Sequence, residues 1–288
     1  MTRPGSRTRR IGHVGPATLV VVSAVFFVLP LIAMARFSFQ NVPMIRLGRS
    51  TLFDGWSLSG VTKAFGDAQF RAALRLSAEL GLGTVVLTLA LLLPTTLWVH
   101  LRLPRARPFV EFLTVLPYVI PPIALVAGVL PLKPHARWFL NSNYSLIPFY
   151  TVLAMPFTFR SLDAGIRALD VKTLVDASRS LGAGWGATLR RVLVPNLRAA
   201  IISSSFLTVA VVLGEYTMAR VLLKRTLPAF MAQYQGREPQ GGMALALTAL
   251  VATTALFALL SVLTRRRGPR VDYTSLAAAG PVQERPHE

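Results

Sequence analysis

Cysteine is absent from this chain. A disulfide framework, a thiolate zinc site and a cysteine nucleophile are therefore excluded, although the absence says little about compartment. Charge is scarce: only 15% of the 288 residues are Asp, Glu, Lys or Arg, against about a quarter in an ordinary soluble domain. Acid is scarcer still, with 12 Asp+Glu against 31 Lys+Arg and a formal charge of +19. The four histidines, His13, His100, His135 and His287, are scattered through flanks and loops and form no metal site. No nucleophile, base and orienting acid come together, so nothing supports a membrane enzyme. No Gly-Lys-Ser or Gly-Lys-Thr occurs. Gly55 and Gly60 have the spacing of a phosphate loop, but Val61 stands where that loop requires lysine. Leu58-Ser59-Gly60 is too short a fragment to signal nucleotide binding.

What abounds is apolar: 53% of the residues are hydrophobic and the mean hydropathy is +0.52. A membrane-spanning helix needs about 20 predominantly apolar residues. Six segments qualify as candidates: about Val14–Phe37, Leu76–Val99, Phe109–Leu132, Ser145–Phe159, Ala199–Leu222 and Met243–Thr264. The expected class is an all-α membrane protein of six transmembrane helices. A basic tail (1–13) precedes the membrane domain (14–264), and a tail expected to be disordered (265–288) follows it. The first segment also has features of a signal peptide, a basic head and Ala33-Met34-Ala35. Its apolar run of about 20 residues exceeds the roughly 7–15 of a signal core, which favours an uncleaved helix.

The basic residues bracket these segments. Nineteen of the 31 fall in the two tails, the loop after the second segment and the stretch after the fourth. The positive-inside rule makes that side, with both termini, cytoplasmic. A nucleic-acid partner would need a basic face on a soluble fold, and the distribution argues against one. No internal repeat or inverted pair of broken helices is visible, which weighs against a secondary transporter built from inverted repeats.

The largest polar stretch on the expected cytoplasmic side is "VDASRSLGAGWGATLRRVLVP", Val175–Pro195. Asp170 can cap a helix that begins beside it. Leu174, Ala177, Ser178 and Leu181 then recur on one face. Gly182 sits where a left-handed residue ends a helix, and Gly184 and Gly186 keep the turn open. A second short helix carries Trp185, Leu189 and Val192 on one face, and Pro195 marks the approach to the fifth segment. Two short amphipathic helices of this kind suit either a lipid interface or a protein-docking element, and residue physics alone does not choose.

Other candidates lie inside the segments. Pro117, Pro121 and Pro122 disrupt the third one, as a packing kink or as part of a translocation path. Ser203, Ser204, Ser205 and Thr208 suit helix contact or path lining. Glu215 follows an uncharged run from Ala199 to Gly214. Placed in the outer third of the fifth span, it should face protein, water or a partner charge. It reads either as a structural pair with Arg220 or a partner's basic residue, or as a carboxylate at the mouth of a path for a cationic solute.

The polar stretch resembles the cytoplasmic "EAA" loop of permease subunits from bacterial binding-protein-dependent ABC importers. That pattern is Glu-Ala-Ala, three residues, Gly, nine residues, Ile, one residue, Leu-Pro. Here stand Asp176-Ala177-Ser178, Gly182, Val192 and Val194-Pro195 at the same spacing. Asp replaces Glu, Ser the second Ala, and Val both Ile and Leu. "FRAALRLSAELGL" and "LPYVIPPIALVAGV" also look like the family, although Arg75 stands where Asn is common. The segment "YTMARVLLKRTLPAFMAQY" looks most like the spermidine/putrescine-type group.

The resemblance implies a type I permease fold in a bacterial cytoplasmic membrane. It implies ABC ATPase subunits, a second permease subunit and an extracytoplasmic solute-binding protein as partners. Asp176, Ala177, Ser178, Gly182, Val192 and Pro195 would form the ATPase-coupling loop, with hydrolysis in a separate subunit and no cofactor in this one. Glu215, Ser204, Thr208, Pro121 and Pro122 would be candidates for the path. A stand-alone secondary transporter or channel is the alternative; it would work without an ATPase.

Overall fold

The computed structural model describes residues 14–40 and 55–265. The expected N-terminal tail, 1–13, lies outside the described residues, as does the expected C-terminal tail, 265–288, apart from Arg265, which ends the last helix. Helices come in chain order as α1 (Val14–Phe39), α2 (Ser59–Gly66), α3 (Ala68–Arg102), α4 (Arg107–Val119), α5 (Pro122–Val129), α6 (Arg137–Leu140) and α7 (Leu146–Arg167). There follow α8 (Val171–Ser180), α9 (Trp185–Thr188), α10 (Val194–Asn196), α11 (Arg198–Gly214), α12 (Thr217–Val221), α13 (Leu227–Arg237) and α14 (Pro239–Arg265). Among the described residues the only β pairing is an isolated antiparallel bridge between Gln40 and Trp56. Contacts divide the chain into Met1–Thr248, which holds the bundle, and Ala249–Glu288, a largely helical unit in its described part.

The bundle is built on α3, α7 and α11, which pack pairwise, with α4 against α7. Asp67 starts α3 by accepting the Gln69 amide at 2.7 Å. The buried residues of α3 form one long stripe, from Phe70, Ala73 and Ser77 through Leu80, Thr84 and Thr88 to Leu92, Thr96 and Val99. That is the helical period of a single buried face. The polar members of the stripe satisfy themselves. Thr84, Thr88 and Thr96 each donate to the carbonyl four residues back, at 2.7, 2.6 and 2.6 Å. A hydroxyl bonded this way enters an apolar layer at little cost.

Four apolar clusters follow along the bundle. Leu80, Val126, Leu146, Tyr150, Leu153 and Val212 form the largest. Leu92, Phe159 and Leu162 continue it. Leu97, Ile166, Val171, Val175, Leu193 and Leu197 close one end, and Ala64, Phe70, Ala73, Phe230 and Leu245 the other. By contrast, α1 is apolar on all sides and exposed from Leu19 to Ile32. That suits a helix with lipid rather than protein around it.

Length and composition give three helices able to cross a bilayer, within Thr18–Phe39, Ala68–Arg102 and Pro239–Leu259, and up to five if two bent pairs each count as one span. Span three is thus not one straight helix from Phe109 to Leu132. It turns by 83° between Pro104–Val119 and Pro122–Leu132. Ile120, preceding Pro121, is extended at φ −77°, ψ 126°, as a residue before proline prefers. Span five is also shorter than Ala199–Leu222: α11 stops at Gly214. It meets Trp185–Asn196 at 75°. The expected fourth span, Ser145–Phe159, continues to Arg167 as the 22-residue α7. Neighbours cover α7 so fully that it need not be apolar throughout.

Close approach of α7 and α11 rests on Gly165. A Cβ there would collide with the Ala200 side chain, whereas one on Gly128 of α5 would meet nothing within 4 Å. We expect Gly165→Ala to destabilise the bundle by about 1–3 kcal/mol through overpacking and Gly128→Ala to be neutral or slightly stabilising. Thermal unfolding of the two detergent-solubilised full-length variants checks this. Equal midpoints would contradict the packing assignment.

Candidate docking site

An elbow made of α8, the Gly182 turn and α9 projects from the end of the bundle where α3 and α7 finish. It begins at Asp170, whose carboxylate accepts the Thr173 hydroxyl at 2.6 Å and the Thr173 amide at 3.3 Å. Those two bonds, the hydroxyl's first, hold the carboxyl below its ordinary pKa. The inner face of α8 is Val171, Val175 and Ser178, not the face Leu174–Ala177–Ser178–Leu181 that spacing alone suggests. Val171 and Val175 are drawn inward by Leu97, Ile166, Leu193 and Leu197. Leu174 is half-buried and Ala177 exposed, while Leu181 is 89% exposed.

The turn is a Schellman motif. Gly182 N–H donates to the Arg179 carbonyl at 2.9 Å and Ala183 N–H to the Ser178 carbonyl at 3.1 Å. Gly182 has φ +82°, the left-handed region in which an L side chain is strained. Ser178 Oγ and Thr188 Oγ1 lie 2.9 Å apart and buried, fastening α8 to α9. The Arg179 guanidinium sits 5.1 Å above the Trp185 ring. A π-helical turn, Leu189–Leu193, then carries the chain into α10.

Of the six residues expected in this loop, Asp176, Ala177, Gly182 and Pro195 are exposed. Val192 is half-buried and Ser178 is buried. The outer surface therefore includes Asp176, Ala177, Leu181, Gly182 and Trp185, with the exposed Arg179 guanidinium over the Trp185 ring. Among the described residues no neighbour lies within 4 Å of a Cβ built on Gly182, Gly184 or Gly186.

The elbow stands on an ionic knot that sequence inspection did not single out. Asp163, its side chain 4% exposed, accepts two bonds from Arg107, Nε to Oδ1 at 2.6 Å and Nη2 to Oδ2 at 2.8 Å. Arg167 Nη2 stands 3.0 Å from Oδ2. His100 Nε2 comes within 3.2 Å of Oδ1 but off the line of a hydrogen bond, while Nδ1 lies 2.9 Å from the Thr96 carbonyl. Glu111 adds contacts at 4.0 Å to Arg107 and 3.5 Å to Arg160. The knot joins the end of α3, the start of α4 and the end of α7. A signal was available: Asp163 is the only acid between Glu111 and Asp170, and an isolated acid in an apolar helix needs a partner.

The expected path residues lie apart from the elbow. Ser204 and Thr208 are fully buried. Thr208 Oγ1 meets Thr158 Oγ1 of α7 at 2.9 Å and donates to the Ser204 carbonyl at 2.9 Å. Ser204 Oγ donates to the Ile201 carbonyl at 2.9 Å. Pro121 is exposed and Pro122 half-buried at the bend of span three. Glu215 is not inside a span helix but in the break after Gly214, 8% exposed. Its Oε1 accepts the Met218 amide at 2.8 Å and its Oε2 the Ala219 amide at 3.4 Å. Tyr150 lies beside it, its buried hydroxyl outside hydrogen-bonding geometry with any of the described residues. Arg220 is exposed.

Comparison with known proteins gives the class. The family described as "Binding-protein-dependent transport system inner membrane component" matches residues 93–273. That is well over half of the chain and contains the whole elbow, and the chain belongs to this family. It is 30% identical over 146 residues to a probable molybdenum ABC transporter permease protein of Haloferax volcanii, covering 47% of this chain and 53% of that protein. The chain thus spans about half the length of the curated relative it matches. Its fold is similar to a solved structure of a bacterial ABC transporter involved in the import of the acidic polysaccharide alginate. That likeness has a TM-score of 0.69 at 16% identity and covers 90% of this chain and 99% of that one. At that identity the likeness speaks for the fold.

The knot generates an ordering. Arg107→Ala removes both bonds to a buried carboxylate and should destabilise by about 3 kcal/mol. Arg167 is 57% exposed, so Arg167→Ala should cost under about 1 kcal/mol. Unfolding midpoints of the two variants measure it, and the reverse order would contradict the assignment of Arg107 as principal partner.

Proposed function

We propose that this chain is the permease subunit of an ATP-binding cassette importer, forming half of the translocation path beside a second permease subunit. The observation that carries this reading is the outward face of the elbow, Asp176, Ala177, Leu181 and Gly182, held on a buried inner face by the Ser178–Thr188 bond. Family membership supports it. In this reading the face is the coupling surface that seats on an ATPase subunit, which hydrolyses ATP in trans. An extracytoplasmic binding protein delivers the solute. The chain crosses a bacterial cytoplasmic membrane six times, with α7 and the two bent pairs completing the count and both termini in the cytoplasm. The stand-alone transporter or channel gains no support, because its family is built around a binding-protein-dependent system.

For the other candidates the contacts favour structural roles. Thr208 ties α11 to α7 through Thr158, Ser204 is buried and bonded within α11, and Glu215 caps α12 across the break. The spermidine/putrescine likeness leaves the solute at the level of a small molecule. The relatives' names speak of molybdenum and of an acidic polysaccharide.

The test is Gly182→Val. A β-branched residue at φ +82° costs of order 1 kcal/mol or more, and it places a branched side chain on the coupling surface. The variant should reach the membrane at wild-type level, lose uptake of the system's solute, and co-purify poorly with the ATPase. Normal uptake together with normal ATPase retention would refute the coupling role.

A further inference from the structure

Between α12, α13 and the start of α3 lies a cavity of about 220 Å³ lined by Gln69, Arg220, Lys224, Arg225, Phe230 and Gln233 among others. Three of these are cations, and no acid is in the lining. This end of the bundle is the one where the positive-inside rule expects few cations, yet Lys133 also acts on Lys224 from the loop after α5. Among the described residues neither Arg220 nor Arg225 makes an ion pair, and both are exposed.

Lys224 is the inner member. It is 8% exposed, and its ammonium donates to the Asn141 carbonyl at 2.7 Å. Two further N–H donors remain. Burial first, and Lys133 second, push its pKa down, a penalty that a bound anion would relieve. The backbone accepts strain to place it. Leu223 holds φ +55°, the only described non-glycine residue with positive φ, in a Schellman turn closed by Leu223 N–H to the Arg220 carbonyl at 3.2 Å and Lys224 N–H to the Ala219 carbonyl at 2.8 Å. Gly182 holds the same position at the elbow without strain. Here a leucine, 83% exposed, holds it beside the three cations. The nearby acid Asp67 uses Oδ1 on the Gln69 amide.

We propose that this cavity is an oxyanion-binding site, with the Arg220 and Arg225 guanidiniums taking the oxygens of a tetrahedral anion and Lys224 supplying an inner charge. Guanidinium forks match such oxygens in pairs, whereas an ammonium acts as a point charge. The same chemistry is offered by a free inorganic oxyanion or by the phosphate of a lipid headgroup. A free anion would place the solute class opposite to a polyamine, and that consequence alone rests on the transport reading.

The experiment is binding to the full chain in nanodiscs, without partner subunits, so that a failure here leaves coupling at the elbow standing and a failure of coupling leaves this site standing. Labelled sulfate and molybdate are titrated in phosphatidylcholine discs. Retention of phosphatidylglycerol is followed in discs that contain it. A free-anion site gives saturable sulfate or molybdate binding that weakens at least fivefold in Arg225→Gln and further in Arg220→Gln/Arg225→Gln. A headgroup site gives phosphatidylglycerol retention that falls in the same variants, with no free-anion binding. Both substituted residues are exposed, so the fold should survive, and circular dichroism checks it. Absence of both signals, or signals unchanged by the substitutions, would overturn the proposal.

Discussion

The arrangement depends first on the bidentate pair between Arg107 and Asp163. A carboxylate buried at the end of α7 is tolerable only with its lone pairs filled, and the residues that fill them come from α4 and the last turn of α7, with His100 of α3 alongside. Three helix ends are thereby tied at one point. Three residues further along α7, Ile166 enters the apolar cluster that seats α8. The elbow is therefore fixed to the bundle by a charged tie and an apolar root. In the proposed reading, a displacement at α8 cannot be absorbed locally and passes to α7 and α3.

A second constraint runs through the interior. Backbone and hydroxyl groups inside a bilayer must find partners within the protein. The threonines of α3 use their own helix, and Thr158 and Thr208 use each other across α7 and α11. Where helices break, local chemistry covers the ends. Ile120 takes an extended conformation before Pro121, and the Glu215 carboxylate receives the amides that open α12.

Much of this was legible in the residues. Asp170 as a cap and Gly182 as a left-handed terminator follow from local chemistry, which tertiary packing did not override. The proline pair announced a break in the third segment. The inner face of α8 was not legible, because Val171 and Val175 are buried by Leu97 and Leu193, distant in sequence, and a short amphipathic helix does not reveal which apolar edge finds a partner. The Arg107–Asp163 pair spans 56 positions and has no local signature. The end of α11 at Gly214 was missed because hydropathy continues through Val221 and Leu222 while the backbone does not. The basic cavity was hidden for a related reason: Arg220 reads as a residue of the fifth span and a candidate partner of Glu215, and Lys224 and Arg225 as loop charges, until the Leu223 turn folds the three around one space.

The central claim is that the outer face of the elbow meets an ATPase subunit, and the lack of native cysteine makes it directly measurable. Single cysteines are placed at Leu181, on the outer face, and at Val175, on the inner one. Each full-length variant is assembled with its ATPase partner and treated with a short thiol cross-linker. Leu181→Cys should cross-link to the ATPase, with a yield that changes when nucleotide binds, and Val175→Cys should not. Cross-linking from Val175→Cys but not Leu181→Cys, or from neither in an intact complex, would contradict the account.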